Sequence, residues 1–253
     1  KQIAEELQKR ESTKIEELLT TLDYPTKAFL YDKFMAETYK YEVKNVSTEK
    51  WVVENVYKKL NEKYKLSEVA TADTDFEKVI QILNWLTQNT FYNGATLNYI
   101  TDNTIDILKN SFGKSFRKAI NCRLKAICFA DCLVAVGIKA YPVCMCSSVL
   151  KNSHFTCQAY ISELDKWCVF DPSFGCWFTD KAGNPIDIFE MREIFLQGDE
   201  PVVNGYNFNG TTECFDVYIN CFLKMCISNL STWRDNSMDR RYKTKMSDKK
   251  RFI

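Results

Sequence analysis

The hydrophobic period of this chain changes at Gly137, and that change limits the fold more than any other feature. Before it runs Asn121 to Gly137, NCRLKAICFADCLVAVG, in which Ala126, Ala130, Leu133 and Val134 fall on one helical face. Asn121 stands where a side chain can cap the first free amides, and Gly137 where helices commonly end in the left-handed region. After it the chain takes on strand chemistry: Ile138 to Ser147, His154 to Ser162 and Trp167 to Phe170, with Glu163 to Lys166 as a polar hairpin connection. Asp171 and Pro172 end the third strand, because proline has no amide to give to the ladder. A helix feeding an antiparallel meander predicts an α+β fold with that helix packed on the sheet.

The region before this segment reads as helical. Gln2 to Leu22, Ala28 to Tyr41, Lys50 to Tyr64 and Asp75 to Asn89 carry apolar residues at three-to-four spacing. In the last of these Phe76, Val79, Ile80, Leu83 and Leu86 form one stripe with Trp85 at its edge, and Thr74 with Glu77 has the form of a capping box. A short helix is expected over Asn103 to Lys109. Beyond Pro172 the signals thin to a hairpin at Asp180 to Ile188, a helix at Phe189 to Phe195, and a helix or strand at Cys214 to Ser228. The expected division is a helical N-terminal extension over 1–72, a core over 73–200 and a C-terminal elaboration of the same domain over 201–253. The last stretch, Ser231 to Ile253, has eight basic and three acidic residues and reads as a solvated face.

Composition narrows the partners. Lysine plus arginine (34) nearly equals aspartate plus glutamate (33), so no global field would gather nucleic acid. Apolar runs such as Cys132 to Ile138 fall far short of the ~20 residues that cross a bilayer, so no membrane span is expected. The compartment is left open between cytoplasm and export, since the chain begins at Lys1 and a signal segment could have been trimmed. No glycine-rich phosphate loop occurs, and one histidine with unpaired cysteine spacings does not make a zinc ligand set. Neither a metal nor another cofactor is expected.

Eleven cysteines accompany a single histidine. A thiol becomes a nucleophile as its thiolate, which a helix N-terminus or a protonated imidazole favours. Cys122 follows the cap directly, whereas Cys128 and Cys132 lie deeper in the helix, where a thiol is a small hydrophobe. His154 opens one strand and Asp171 closes the next, so antiparallel pairing can bring both to one end of the sheet. A thiol, an imidazole and a carboxylate in that order make a nucleophile, its base and the base's orienter. Each residue alone is more commonly packing, a core histidine or a turn. Their joint order singles out Cys122, His154 and Asp171 as catalytic candidates.

Cys122-Arg-Leu-Lys-Ala126, Gly137-Ile138 with Ala140, His154-Phe-Thr with Ala159-Tyr160, and Trp167-Cys-Val-Phe-Asp171-Pro172 together resemble the transglutaminase-like superfamily, in its bacterial type. The resemblance spans Asp75 to Phe178 and includes the helix that carries Trp85. Two departures occur: Ile120 stands two residues before the cysteine, where the family often has glycine, and Thr156 two residues after the histidine, where it often has tryptophan. The resemblance implies a papain-like α+β core in which Cys122, His154 and Asp171 form a triad. It further implies thiol-dependent acyl chemistry on the amide carbonyl of a peptide or protein.

Water resolving the thioester would make the protein a peptidase or amidase, ranked first, and an amine acceptor would make it a protein-glutamine transglutaminase; deamidation is a further variant. The Cys122 amide is one expected oxyanion donor, with Trp85, Tyr92 or Asn93 as the second. A rival from another class is a non-catalytic scaffold of the same fold. A third reading is redox control, in which Cys157 or Cys128 traps an oxidised Cys122.

Overall fold

The computed structural model describes residues 54–96, 104–113, 118–146, 153–205, 207, 209, 229–232 and 251–252. The helices expected over Gln2 to Leu22 and Ala28 to Tyr41, and the element at Cys214 to Ser228, lie outside the described residues. Helix α1 (Glu54–Tyr64) is followed by a short α2 (Leu66–Val69), by α3 (Asp75–Asn89), by α4 (Thr104–Ser111) and by α5 (Cys122–Ala135). Strands β1 (Ala140–Cys146), β2 (Ser153–Ile161), β3 (Lys166–Asp171) and β4 (Cys176–Thr179) come next, then helix α6 (Ile188–Leu196) and strands β5 (Val202–Asn204), β6 (Asn229–Thr232) and β7 (Arg251–Phe252). The seven strands form one sheet in the order β5-β4-β3-β2-β1-β6-β7, and every pairing is antiparallel. This is an α+β fold with the Cys122-bearing helix packed on an antiparallel sheet.

The helical layer covers one face of the sheet. Tyr57 and Leu60 of α1, Leu66 of α2, the Val79, Ile82, Leu83 and Leu86 stripe of α3, and Ile107 and Leu108 of α4 converge on α5. The same core continues into Cys157, Ala159 and Ile161 of β2 and Phe170 of β3. Helix α5 is buried from Leu124 through Leu133, which is why its sequence is apolar around most of its circumference rather than along one stripe. Phe170 ties the layers together, with ring centroids 5.8 Å from Phe76 on α3 and 6.3 Å from Phe129 on α5.

The opposite face carries a second core. Tyr141, Val143 and Met145 alternate along β1 and meet Val169, Cys176 and Phe178 from β3 and β4, with Ile188, Met191 and Phe195 of α6 laid over them. Gln158 of β2 reaches into this layer, donating to the Tyr141 hydroxyl and accepting from the Ile188 amide. Among the described residues no helix is long and apolar enough to cross a membrane.

Local signals act as their chemistry dictates. Thr74 caps α3 by accepting from the Glu77 amide, and Asp187 with Glu190 closes a reciprocal capping box on α6. Gly137 ends the α5 turn at φ +89, a conformation that a Cβ disfavours. The connection between β2 and β3 is a 3₁₀ turn over Ser162–Leu164, closed by Asp165 in the left-handed region. The hairpin expected over Asp180 to Ile188 is shorter: the turn closes between Asp180 and Asn184, and Ile188 opens α6. Its capping box accounts for the difference, since Asp187 satisfies the free amides of a helix.

Candidate active site

Asn121 starts the site by ending the approach to α5. Its Oδ1 accepts from the Leu124 amide at 3.1 Å, and its Nδ2 donates to the Thr96 carbonyl at 3.0 Å. One side chain therefore caps the helix and ties its start to the segment after α3. That segment runs beside the approach itself: Tyr92 bridges Ile120, with the Ile120 amide on the Phe91 carbonyl and the Asn93 amide on the Ile120 carbonyl. Asn121→Ala is expected to cost about 1–2 kcal/mol in urea unfolding, at the upper end for a cap because the Thr96 tie goes with it.

Cys122 follows the cap, half-buried, against Ala126, Cys144 and Phe155. Its amide lies in the first helical turn, where no intrahelical acceptor exists. The six other cysteines whose side chains are described (Cys128, Cys132, Cys144, Cys157, Cys168 and Cys176) are buried. Burial pushes the thiols of Cys128, Cys132 and Cys157 well up, and that of Cys168 up to about 12. Cys128 and Cys157, the expected redox partners of Cys122, belong to the helical core.

His154 lies near the start of β2 and Asp171 at the end of β3. Their antiparallel register brings them together: His154 Nε2 is 2.6 Å from Asp171 Oδ2, with the imidazole 1% and the carboxylate 0% exposed. The imidazole is also acted on by the Cys122 thiol, whose charge and hydrogen-bonding capacity raise its proton affinity. With Nε2 donating to the carboxylate, Nδ1 is the nitrogen left for sulfur. Burial alone would pull the His154 pKa down. The Asp171 charge and hydrogen bond, joined by Cys122, overcome it and push the value up to about 10.

The three residues singled out from sequence thus meet at one place. Around them stand Tyr92, expected from the sequence as an oxyanion candidate, and Phe174, Ser173 and Asn209, which the sequence did not single out. Phe174 lays its ring 5.6 Å from the imidazole, and Tyr92 lies 5.9 Å beyond it. The Ser173 amide donates to Asp171 Oδ1 at 2.8 Å, which fixes the carboxylate from its other side. Asp-Pro-Ser could have signalled this, because an aspartate side chain commonly accepts from the amide two residues on. Asn209 pairs with the Tyr92 backbone through both ends of its amide, at 2.8 and 2.9 Å; no local pattern announces a contact of that sequence span.

The upstream residues considered as second oxyanion donors separate. Trp85 packs with Tyr64 and Phe112, at 6.0 and 5.7 Å between ring centroids. The Asn93 side chain accepts from the Ala95 amide in its own turn. Tyr92 alone of the three stacks on the ring that covers His154. Among the described residues no group of three or more histidine, cysteine, aspartate or glutamate side chains could hold a metal ion.

No family model matches the chain, and no curated protein matches it. A solved structure to which it is similar is that of "a putative cysteine protease" from Cytophaga hutchinsonii, at 22% identity and a TM-score of 0.35. The similarity covers 46% of this chain and 37% of that one, well under two thirds of the other protein's length.

Proposed function

We propose that the protein is a thiol-dependent acyl-transfer enzyme of the transglutaminase-like kind, acting on amide bonds through Cys122, His154 and Asp171. The observation that carries this reading is the single histidine of the chain, held 2.6 Å from a buried carboxylate and raised in proton affinity by a half-buried thiol at a capped helix N-terminus. The Cys122 thiolate attacks the amide carbonyl, and the oxyanion forms beside the first-turn amide of α5. The His154 imidazolium gives its Nδ1 proton to the departing amine and leaves a thioester. Asp171 holds Nε2 and so fixes the tautomer and plane of the ring. Water, deprotonated by the now neutral imidazole, releases the acid and restores the thiol. An amine arriving in place of water would give transamidation, and a glutamine side chain as acyl donor with water as acceptor would give deamidation. Hydrolysis ranks first because water needs no second binding site.

A peptide vinyl sulfone, which alkylates a nucleophilic thiol, is expected to add once and at Cys122, as read by peptide mass spectrometry. Acyl-enzyme formed from a glutamine-containing peptide library and chased with a primary amine separates the two outcomes: free acid marks hydrolysis and amine-tagged peptide marks transfer. The burial of His154 favours a second reading, a non-catalytic scaffold that keeps the triad as a structural ion pair. That reading predicts no vinyl sulfone adduct at Cys122 on the folded protein.

A further inference from the structure

Two hydroxyls beside the triad have no partner. Thr156 Oγ1 and Ser173 Oγ are fully buried and make no hydrogen bond among the described residues. A buried hydroxyl left unpaired is costly, and such groups need a reason for being there. Their position supplies one. The β2–β3 pairing ends with Cys157 facing Phe170; Thr156 is the next residue on β2 and Asp171 the next on β3, so the two stand side by side at the end of the ladder. Neighbouring cross-strand positions lie about 5–8 Å apart between Cβ atoms, a separation that one bridging water can span. Ser173 is already tied to the carboxylate by its amide, which donates to Oδ1.

Asp171 has capacity for both. Oδ2 accepts from His154 and Oδ1 from the Ser173 amide, while a carboxylate has about four acceptor sites. Two orphan donors therefore flank one buried acceptor with lone pairs to spare. We propose that Thr156 and Ser173 are positioning residues for Asp171, their hydroxyls donating to the carboxylate through internal water and so fixing its plane against the imidazole. This rests on the reading of Asp171 as the orienter of His154, and it gives the threonine that stands in place of the family's tryptophan a role of its own.

Among the described residues, the titratable groups that act on His154 are Asp171 from β3 and Cys122 from α5; its cross-strand neighbour on β1 is Met145, and the ring laid on it is Phe174. The proton affinity of the imidazole thus reports chiefly on how well the carboxylate is held. Because the chain has one histidine, its ring ¹⁵N signals in the full chain are uniquely assigned. Thr156→Val and Ser173→Ala are each expected to lower the His154 midpoint by about one pH unit, a tenfold loss of proton affinity, as the freed carboxylate swings out of line. Thr156→Ser, which keeps the hydroxyl, is expected to retain the native midpoint.

The sign matters: donors that merely drew electron density from Asp171 would compete with the imidazole, and their loss would raise the midpoint. A midpoint raised or unchanged in either variant overturns the proposal, as does a Thr156→Ser midpoint as low as that of Thr156→Val. An unchanged midpoint with a higher Tm in Thr156→Val would mark the hydroxyl as a plain packing defect. The titration does not depend on Cys122 reactivity, so an inert thiol would count against the enzymatic reading and leave this result standing.

Discussion

Asp171→Ala is expected to destabilise the protein by about 3–5 kcal/mol near neutral pH, the loss seen when one partner of a buried ion pair is removed. The imidazole stays buried, with Phe174 against its ring, and loses the group that stabilises its charged form. The sign of the pH dependence follows from the direction of the shift. Folding raises the His154 pKa from its ordinary 6.5 to about 10. A raised pKa contributes stability that is fully present below pH 6.5 and is lost as pH climbs through the folded value. Urea unfolding of the native chain should accordingly show a His154-linked contribution that declines between pH 6.5 and pH 10. In Asp171→Ala that decline disappears, because a buried imidazole without its carboxylate gains nothing from protonation. Equal urea midpoints for the two proteins at pH 6.5 would mean that the pair adds no stability.

His154→Ala is expected to slow acyl-enzyme formation at Cys122 by about 10²–10⁴-fold, the usual contribution of a positioned acid or base. In the proposed reaction two functions go with the ring: favouring the thiolate before attack and delivering a proton to the leaving amine. They can be separated with an activated ester, whose alkoxide or phenolate leaves without help. With such a substrate the defect should shrink, since only the thiolate part of the role remains. A variant that acylates as fast as the native chain on both amide and ester would remove His154 from the chemistry. The substitution lies in the core and carries a stability cost of its own, so rates are compared at a temperature where both chains are folded by circular dichroism.

Parts of this arrangement were legible in the sequence because they rest on local chemistry. Asn121 before an apolar helix and Gly137 after it are cap residues, and the structure uses both. The alternation that marks β1 to β3 was visible because those strands separate two different cores, one of helices α1 to α5 and one of α6. Order along the chain then carried the His154–Asp171 contact, since a strand that begins near His154 and one that ends at Asp171 must meet when they pair antiparallel.

What escaped was set by distance along the chain. Strands β4 and β5 have four and three residues, too short for a period to declare itself. The bridge between Tyr92 and Ile120 and the Asn209 pairing onto Tyr92 are long-range contacts made mostly by backbone, which leaves no composition signature. Phe174 carries no local signal that would place its ring on the imidazole. The expectation that Cys157 or Cys128 would trap Cys122 drew on cysteine spacing alone. Spacing does not reveal burial, and both thiols lie at 0% exposure in the helical core.

The most direct test of the central claim is site-resolved alkylation of the folded chain with limiting iodoacetamide across a pH series, read by peptide mass spectrometry on the native protein and on His154→Ala. The account predicts that Cys122 labels first at pH 6.5, ahead of the six buried cysteines described, and that the variant loses this lead by about tenfold or more. Labelling of Cys122 no faster than that of the other thiols, with no change on removing His154, would contradict it.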